Sequence, residues 1–261
     1  MKVGDIIDAI EAVAPPSLQE GWDNTGLLVG HREADCRGVM LCVDVTPDII
    51  LEALEAGCDM VVSHHPLIFK GLKRLNGDGR VERSVELAVK RGVAVYCCHT
   101  SIDNAPGGVS WVMANRLGAD GCEVLSPQAG GDGNTGLGVV GCFSEPLAAS
   151  DFVERVKRSF GSPVARCSRC PEGGITRVAM CGGSGSEFIT DAIAAGAQAY
   201  ITSDTRYHDF VDYGEKIFIV DIGHFESEEC TKEIFYQIIT EKFPNFAVCY
   251  SVIETNPISY L

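Results

Sequence analysis

Six histidines occur in the chain, and four of them stand where one edge of a sheet could bring them together. His64 and His65 directly follow the segment VVS, and His99 follows the segment VYCC. His224 follows the segment VDI and one glycine. Short apolar segments of this kind are typical of buried strands, and ligands of open α/β sheets bind beyond the carboxyl ends of the strands. The shared position favours a binding site over four unrelated loop histidines.

The residue types and their spacing indicate a metal centre. His64 and His65 are adjacent, so on extended backbone their side chains point to opposite sides and serve two neighbouring ions better than one. His224 and Glu228 are four residues apart and share a face if a helix begins there. Asp103 supplies a second carboxylate. Imidazoles with carboxylates suit Zn, Fe, Mn, Co or Ni, and a bridging carboxylate, here Glu228, commonly joins two such ions.

Four further residues are candidates for roles beside the metal. His99 stands four residues before Asp103 and could either support a ligand by a hydrogen bond or move protons as a catalytic group. Gly183 and Ser184 lie in the motif CGGSG between a predicted strand and helix, where backbone amides could bind a substrate phosphate. A plain tight turn explains that motif equally well. His208 could contact substrate at the mouth of a cleft, or lie on a helix surface.

Two short motifs have no assigned chemistry. Cys167 and Cys170 form a lone CxxC without the second pair of a zinc knuckle or the strand-to-helix context of a thioredoxin motif, which favours a surface loop. Trp22, Asp23 and Asn24 could line a cleft, or cap a turn before the strand-like segment LLVG.

The elements that must position these residues alternate between strand and helix. Ile6, Ile7, Ile10 and Val13 form a helical stripe before two prolines, and Thr46 with Pro47 is a typical helix start. The predicted strands are 38–45, 59–63, 93–97, 137–143, 176–181, 198–202, 216–222 and 246–252. The predicted helices after the first are 47–57, 81–91, 108–117, 149–160, 186–195, 204–213 and 226–242. Such alternation predicts largely parallel or mixed sheets with crossover helices.

Residues 126–135 are rich in glycine and polar side chains and predict a linker or domain crossover. We therefore expect an α/β protein of two α/β domains. Residues 1–126 with 222–261 would form the metal-binding domain, and residues 127–221 the second. The metal site would lie at the carboxyl edge of the strands, in the cleft between the domains.

Composition limits the partners and the compartment. The chain of 261 residues has a net charge of −15, which repels phosphate backbones and argues against duplex nucleic acid as a partner. Its apolar runs are too short to span a bilayer, and the acidic N-terminal segment is unlike a signal peptide, so no membrane association is expected. Most of the twelve cysteines stand in apolar runs, as reduced cysteines do, which favours a cytoplasmic protein.

Five segments together carry a resemblance to a known family. They are WDNTGLLVG (22–30), SHHPLIFKG (63–71), HTSIDNAPGGVS (99–110), TSDTRYHD (202–209) and DIGHFESE (221–228). They resemble the dinuclear-metal-centre hexameric proteins, also called GTP cyclohydrolase 1 type 2 homologues, which are relatives of the yeast NGG-one interacting factor. The resemblance implies that the five metal ligands are His64, His65, Asp103, His224 and Glu228. It also implies a toroidal homohexamer with its metal sites facing an inner cavity.

Two classes of function remain. A metal-dependent hydrolase would use two divalent transition-metal ions to activate water against a small-molecule substrate. The family name implies a nucleotide whose imidazole ring is opened, and a phosphoester is the related substrate. The alternative is a metal-binding regulatory or protein-interaction protein without turnover. A catalytic centre keeps exchangeable coordination positions, whereas a structural one is closed by protein ligands, and five ligands for two ions favour the first.

Overall fold

The structure is a computed structural model that describes residues 1–131 and 133–261. The chain forms two compact units, residues 1–102 with 231–255 and residues 103–230 with 256–261. Each unit contains a mixed β-sheet and helices, so the predicted α/β fold with mixed sheets is confirmed. The domain bounds expected from the sequence stay a prediction. No helix in the described ranges has both the length and the apolar character that crossing a bilayer requires.

The elements follow one another in chain order. The strands are β1 (Gly26–Val29), β2 (Gly38–Cys42), β3 (Met60–Ser63), β4 (Ala94–Cys97), β5 (Asp120–Pro127), β6 (Gly136–Leu147), β7 (Arg166–Cys167), β8 (Ile175–Ser184), β9 (Ala199–Ser203), β10 (Phe218–Asp221) and β11 (Ala247–Tyr250). The helices are α1 (Val3–Glu11), α2 (Pro47–Glu55), α3 (Arg80–Arg91), α4 (Thr100–Asn104), α5 (Val109–Leu117), α6 (Ala149–Phe160), α7 (Ile189–Ala194), α8 (Tyr207–Tyr213), α9 (His224–Glu228) and α10 (Thr231–Lys242). Short 3₁₀ helices span Pro16–Leu18 and Ser186–Phe188.

The first unit is built on a five-stranded sheet in the order β1-β4-β3-β2-β11. Four neighbouring strands are parallel, and only β1 is antiparallel, to β4. Val61 and Val95 pack with Ile50 of α2 in an apolar core on one face of this sheet. Ser63 pairs with Cys97, so β3 and β4 end together and the loops that follow them begin at one edge.

The second unit contains a six-stranded sheet in the order β5-β6-β8-β9-β10-β7. The strands β8, β9 and β10 are parallel, whereas β5, β6 and β7 pair antiparallel with their neighbours. Ala179, Tyr200 and Ile219, one from each parallel strand, belong to one apolar core. Thr202 pairs with Asp221, so the loops after β9 and β10 also start at a common edge.

The helix starts and stops follow local chemistry closely. The side chain of Thr46 accepts a hydrogen bond from the amide of Ile49 at 3.2 Å, and Pro47 opens α2, as predicted. The helix α1 ends at Glu11, so Val13 lies beyond it and is 42% exposed. Val13 therefore does not belong to the buried stripe of α1, and this part of the prediction is wrong.

The predicted linker is instead the connection of a β-hairpin. The strands β5 and β6 pair antiparallel up to Pro127 and Gly136, and the amide of Gln128 donates to the carbonyl of Thr135 at 2.9 Å. Part of the predicted segment, residue 132, lies outside the described residues. Periodicity did not predict β5, because this edge strand buries only Leu125 and lacks an apolar run.

Two predicted helices differ from the structure in their form. The predicted helix 226–242 is two helices, α9 and α10, separated at Glu229 and Cys230. The predicted helix 186–195 begins as a 3₁₀ turn, because β8 continues through the glycine-rich motif to Ser184. Apolar periodicity does not mark such breaks, since it reports which residues are apolar and not how the backbone hydrogen bonds are made.

The cysteines are all free thiols. Burial is confirmed for five of the seven cysteines that the sequence places in apolar runs: Cys42, Cys58, Cys97, Cys98 and Cys181. Cys142 and Cys249 are half-buried, and the CxxC pair, Cys167 and Cys170, is exposed, as expected for a surface segment.

Candidate metal centre

Three histidines of the first unit lie side by side at the carboxyl edge of its sheet. His64 and His65 follow β3, and His99 follows β4 after one intervening residue. The ring centroid of His64 is 5.1 Å from that of His65 and 5.1 Å from that of His99. The ring centroids of His65 and His99 are 5.6 Å apart. One nitrogen from each ring lies within 4.8 Å of the other two, which is close enough for the three imidazoles to hold an ion.

The side chains of His64 and His65 do not point to opposite sides, so that part of the sequence interpretation is wrong. The strand ends at Ser63, and both histidines lie in a bend. Their amides still donate to the neighbouring chain, His64 to Cys42 at 3.2 Å and His65 to Val43 at 2.9 Å. Alternation of side chains holds only inside a regular strand, and the bend turns the two rings toward each other.

Each ring of this histidine cluster has an acceptor at its Nδ1 atom. His64 Nδ1 lies 3.3 Å from the carbonyl oxygen of Cys98, and His65 Nδ1 lies 3.1 Å from a carboxylate oxygen of Asp44. His99 Nδ1 lies 2.8 Å from Oδ1 of Asp23. An acceptor at Nδ1 favours the tautomer with its proton there, which puts the ring's lone pair on Nε2. Metal-binding histidines almost always donate their other ring N–H to such an acceptor, so the donor set fits a transition-metal ion.

Asp23 holds His99 by a contact that the sequence did not predict. Its side chain has no exposed surface. Besides His99, it accepts hydrogen bonds from the amide of Thr100 at 3.0 Å and from the hydroxyl of Thr100 at 2.5 Å. Burial opposes its ionisation, but the bonds from His99 and Thr100 outweigh burial and hold the pKa of Asp23 well below its usual range. An ionised carboxylate therefore fixes the His99 ring.

The second unit carries a histidine and a glutamate on one helical turn. His224 opens α9 and Glu228 closes it, and His224 Nε2 lies 2.9 Å from Oε2 of Glu228. The spacing of four residues thus puts both on one face, as predicted. His224 also has a carboxylate at Nδ1, with Oδ2 of Asp204 at 2.8 Å. The histidine thus has the same Nδ1 arrangement as the cluster in the first unit.

Asp204 holds its position in a strained backbone conformation. Its φ of 55° makes it the one non-glycine residue with positive φ among the described residues. Aspartate tolerates this left-handed region better than most residues, and such strain concentrates at functional sites. No pattern in the sequence predicts this conformation, because it arises from the loop between β9 and α8.

Asp221 joins the two loops that begin at this edge. Its carboxylate accepts hydrogen bonds from the amide and the hydroxyl of Thr205, at 2.9 and 2.5 Å, and from the guanidinium of Arg166. It also accepts a bond from the amide of Gly223 at 3.2 Å. The buried carboxylate therefore positions both the loop after β9 and the start of α9.

Asp103 lies in α4 and is half-buried. Burial is the largest cause that raises the pKa of the Cys181 thiol, and the charges of Asp103 and Glu228 raise it further. The negative charges of both carboxylates thus act on this one thiol, and a shared metal site for Asp103 and Glu228 stays a prediction.

Gly183 makes room for Glu228. Its φ is 62°, and a Cβ atom built on it would collide with Oε1 of Glu228. Its amide donates to the hydroxyl of Ser227 at 2.8 Å, and the amide of Gly185 donates to Thr202 at 3.0 Å. These bonds hold the end of β8, which runs through the motif to Ser184, so the motif is not the plain tight turn that the sequence allowed. Phosphate binding by Gly183 and Ser184 stays a prediction.

His208 is exposed on α8, where its ring packs edge-on against Tyr207 with centroids 5.4 Å apart. This is the position of a helix-surface histidine. Its contact with a substrate stays a prediction.

Known proteins resemble this chain over nearly its full length. A protein of Clostridium acetobutylicum named GTP cyclohydrolase 1 type 2 homolog is 34% identical over 229 residues, covering 87% of this chain and 85% of that protein. A Lactococcus lactis protein of the same name is 31% identical over 98% of both chains. The crystal structure of Staphylococcus aureus protein SA1388 has a TM-score of 0.91 and 25% identity, covering 100% of this chain and 99% of that one.

One family profile also matches the sequence. It is described as Duf34/NIF3 (NGG1p interacting factor 3), and residues 1–257 match it. This range includes every candidate metal ligand named above. The chain therefore belongs to the Duf34/NIF3 family.

Proposed function

We propose that this protein binds two divalent transition-metal ions and uses them to hydrolyse a nucleotide or another phosphoester. The ligands in this proposal are His64, His65, Asp103, His224 and Glu228, with Glu228 as the bridging carboxylate. One observation carries it: each of the three histidines in this set has an acceptor at Nδ1, which directs the Nε2 lone pair to a metal. Zn, Fe, Mn, Co and Ni suit this mixture of imidazole and carboxylate.

The chain's own residues orient the reaction. Two bound ions would supply electrophilic activation of water and substrate. His99 would transfer protons through Nε2, because Asp23 holds its Nδ1 and thereby sets the plane of the ring. Asp204 sets His224 in the same way. Both carboxylates act by orientation and contact no substrate in this scheme.

The substrate class rests on the relatives. Several relatives are named GTP cyclohydrolase 1 type 2 homologs, which favours a guanine nucleotide and opening of its imidazole ring. The decisive experiment is to incubate metal-loaded protein with GTP, other nucleotides and simple phosphoesters, and to identify products by mass spectrometry. Turnover that disappears in Glu228→Gln, while Glu229→Gln keeps it, would support the proposal. No product from any substrate at full metal loading would contradict it.

The second candidate is a metal-binding regulatory or interaction protein without turnover. The family description, an interacting factor, is the observation that favours it. In that case metal loading would change binding to a protein partner while no substrate is consumed.

The resemblance further supports a toroidal homohexamer, and twelve free thiols agree with a cytoplasmic setting.

A further inference from the structure

Two exposed aromatic rings stand beside the histidine cluster of the first unit. Trp22 is 59% exposed and Phe69 is 45% exposed. Their ring centroids are 6.0 Å apart, and they lie 6.1 and 6.3 Å from the centroid of His99. A pair of exposed aromatic rings beside convergent polar groups is typical of ligand pockets.

The positions of these rings are set by their neighbours in sequence. Asp23, directly after Trp22, is bound to His99 and Thr100 as described above. Asn24 donates from its side chain to the carbonyl of Ile68, the residue before Phe69, at 2.5 Å. The two segments are therefore tied to each other and to the histidine cluster, while the rings themselves remain exposed. A surface ordered before binding loses less entropy when a ligand arrives.

The segment after Phe69 is locally positive. Lys70, Lys73 and Arg74 are exposed, and the sequence contains no acidic residue from position 66 to 77. This contrasts with a chain that has 36 acidic and 21 basic residues. Across the ranges that the structure covers, none of the three forms an ion pair. They are thus available to an anion, since nothing nearby in sequence neutralises them.

We propose that Trp22 and Phe69 form a stacking site for the planar heteroaromatic ring of a nucleotide, and that Lys70, Lys73 and Arg74 bind its phosphates. Every base has a π-face, so aromatic rings bind nucleobases without hydrogen-bond readout. The cations explain why a strongly acidic protein would accept an anionic ligand. The inference deepens the proposed function, on which it rests, by naming the residues that select the substrate class.

The test uses Trp22 as its own reporter. The chain has two tryptophans, so Trp111→Phe leaves Trp22 as the only indole. In this variant, loaded with metal, acrylamide should quench the fluorescence strongly before any ligand is added. GTP and guanosine should then quench the fluorescence and shield the indole from acrylamide, whereas ribose 5-phosphate should not. An indole already shielded in the ligand-free protein would mean that another chain covers this surface, and would overturn the proposal.

Matched variants separate stacking from general damage. Phe69→Leu should weaken GTP binding by roughly 5-fold to 150-fold, the range for loss of one stacked ring, while Phe69→Tyr should keep it. Tyr236→Leu removes a ring from another exposed aromatic pair of the same unit, with Tyr250 at 5.3 Å, and should change nothing. Equal affinities for GTP in all three variants would overturn the stacking site.

Lys70→Ala tests the phosphate contact. It should weaken the binding of GTP and leave the binding of guanosine unchanged. Equal losses of affinity for GTP and guanosine would overturn the phosphate role.

These readouts do not depend on turnover. GTP that binds at Trp22 while neither GTP nor any other nucleotide or phosphoester yields a product would refute the proposed hydrolysis and leave the stacking site intact. GTP that is converted while Trp22 fluorescence stays unchanged would support the proposed hydrolysis and refute the stacking site.

Discussion

The Nδ1 atom of His99 lies 2.8 Å from Oδ1 of Asp23, a carboxylate with no exposed side-chain surface. This pair joins residues 76 positions apart and holds the histidine cluster against the segment that carries Trp22. Because the carboxylate also accepts two bonds from Thr100, its loss has a stability cost that can be measured without any metal.

Asp23→Asn should lower the free energy of unfolding of the metal-free protein by about 1.5–3 kcal/mol, since it replaces a charged acceptor of several buried hydrogen bonds. Urea denaturation measures this. Asp35→Asn is the control, because the Asp35 carboxylate is 86% exposed in a surface pair with Lys2, and its loss should change the free energy of unfolding far less. Equal losses of unfolding free energy in the two variants would show that Asp23 does not stabilise the histidine cluster.

His99→Ala should keep its metal content and lose turnover by about 10²–10⁴-fold, the usual effect of removing a general acid or base. Asp103→Ala should lose metal and turnover together. Elemental analysis and activity measured on one preparation of each variant decide this. Since His99 lies within donor distance of His64 and His65, release of metal from His99→Ala would instead make it a ligand or an essential support of one.

Metal stoichiometry tests the dinuclear proposal directly. Protein loaded with Zn, Fe or Mn should contain two ions per chain, and either His64→Ala or Glu228→Ala should lose at least one. Chelation should lower the melting temperature, because a metal that binds only the folded state stabilises it. One ion per chain at saturation would refute the two-metal arrangement.

Gly183→Ala should damage the metal site beyond the effect of backbone strain alone. The new Cβ collides with Glu228, and a left-handed alanine costs about 1–2 kcal/mol by itself. Gly121→Ala is the matched control, because its φ is 60° and a Cβ there meets nothing within 4 Å. Both variants carry the same left-handed backbone strain, but only Gly183→Ala should lose metal affinity. Equal metal affinities in the two variants would show that the Glu228 side chain moves away from the new Cβ atom and that metal binding does not depend on its position.

Assembly can be tested independently of chemistry. We expect a homohexamer in solution, since the resemblance implies a closed ring with metal sites facing its cavity. Light scattering at micromolar concentration measures the mass, and a stable monomer of 27.9 kDa would contradict the ring. Metal-free protein serves as the comparison, because it shows whether the ions contribute to assembly.

The sequence alone determined which histidines stand at sheet edges. Apolar segments predicted β3, β4 and β10, and the residues that follow a strand are local to it, so the positions of His64, His99 and His224 followed directly. The i, i+4 spacing of His224 and Glu228 was equally local, since one helical turn brings them together.

The contacts that hold these residues depend on segments that are distant in the chain and meet only in the folded protein. The Asp23 contact with His99 depends on which distant loops meet, and the positive φ of Asp204 depends on the loop that contains it. The bend that turns His64 and His65 toward each other interrupts the strand alternation that the sequence interpretation assumed. Similarly, β5 exists because β6 pairs with it and not because of its own apolar pattern. Local patterns specify whether a side chain lies at the end of a strand or on a helix, whereas hydrogen bonds between distant segments set the orientation of that side chain.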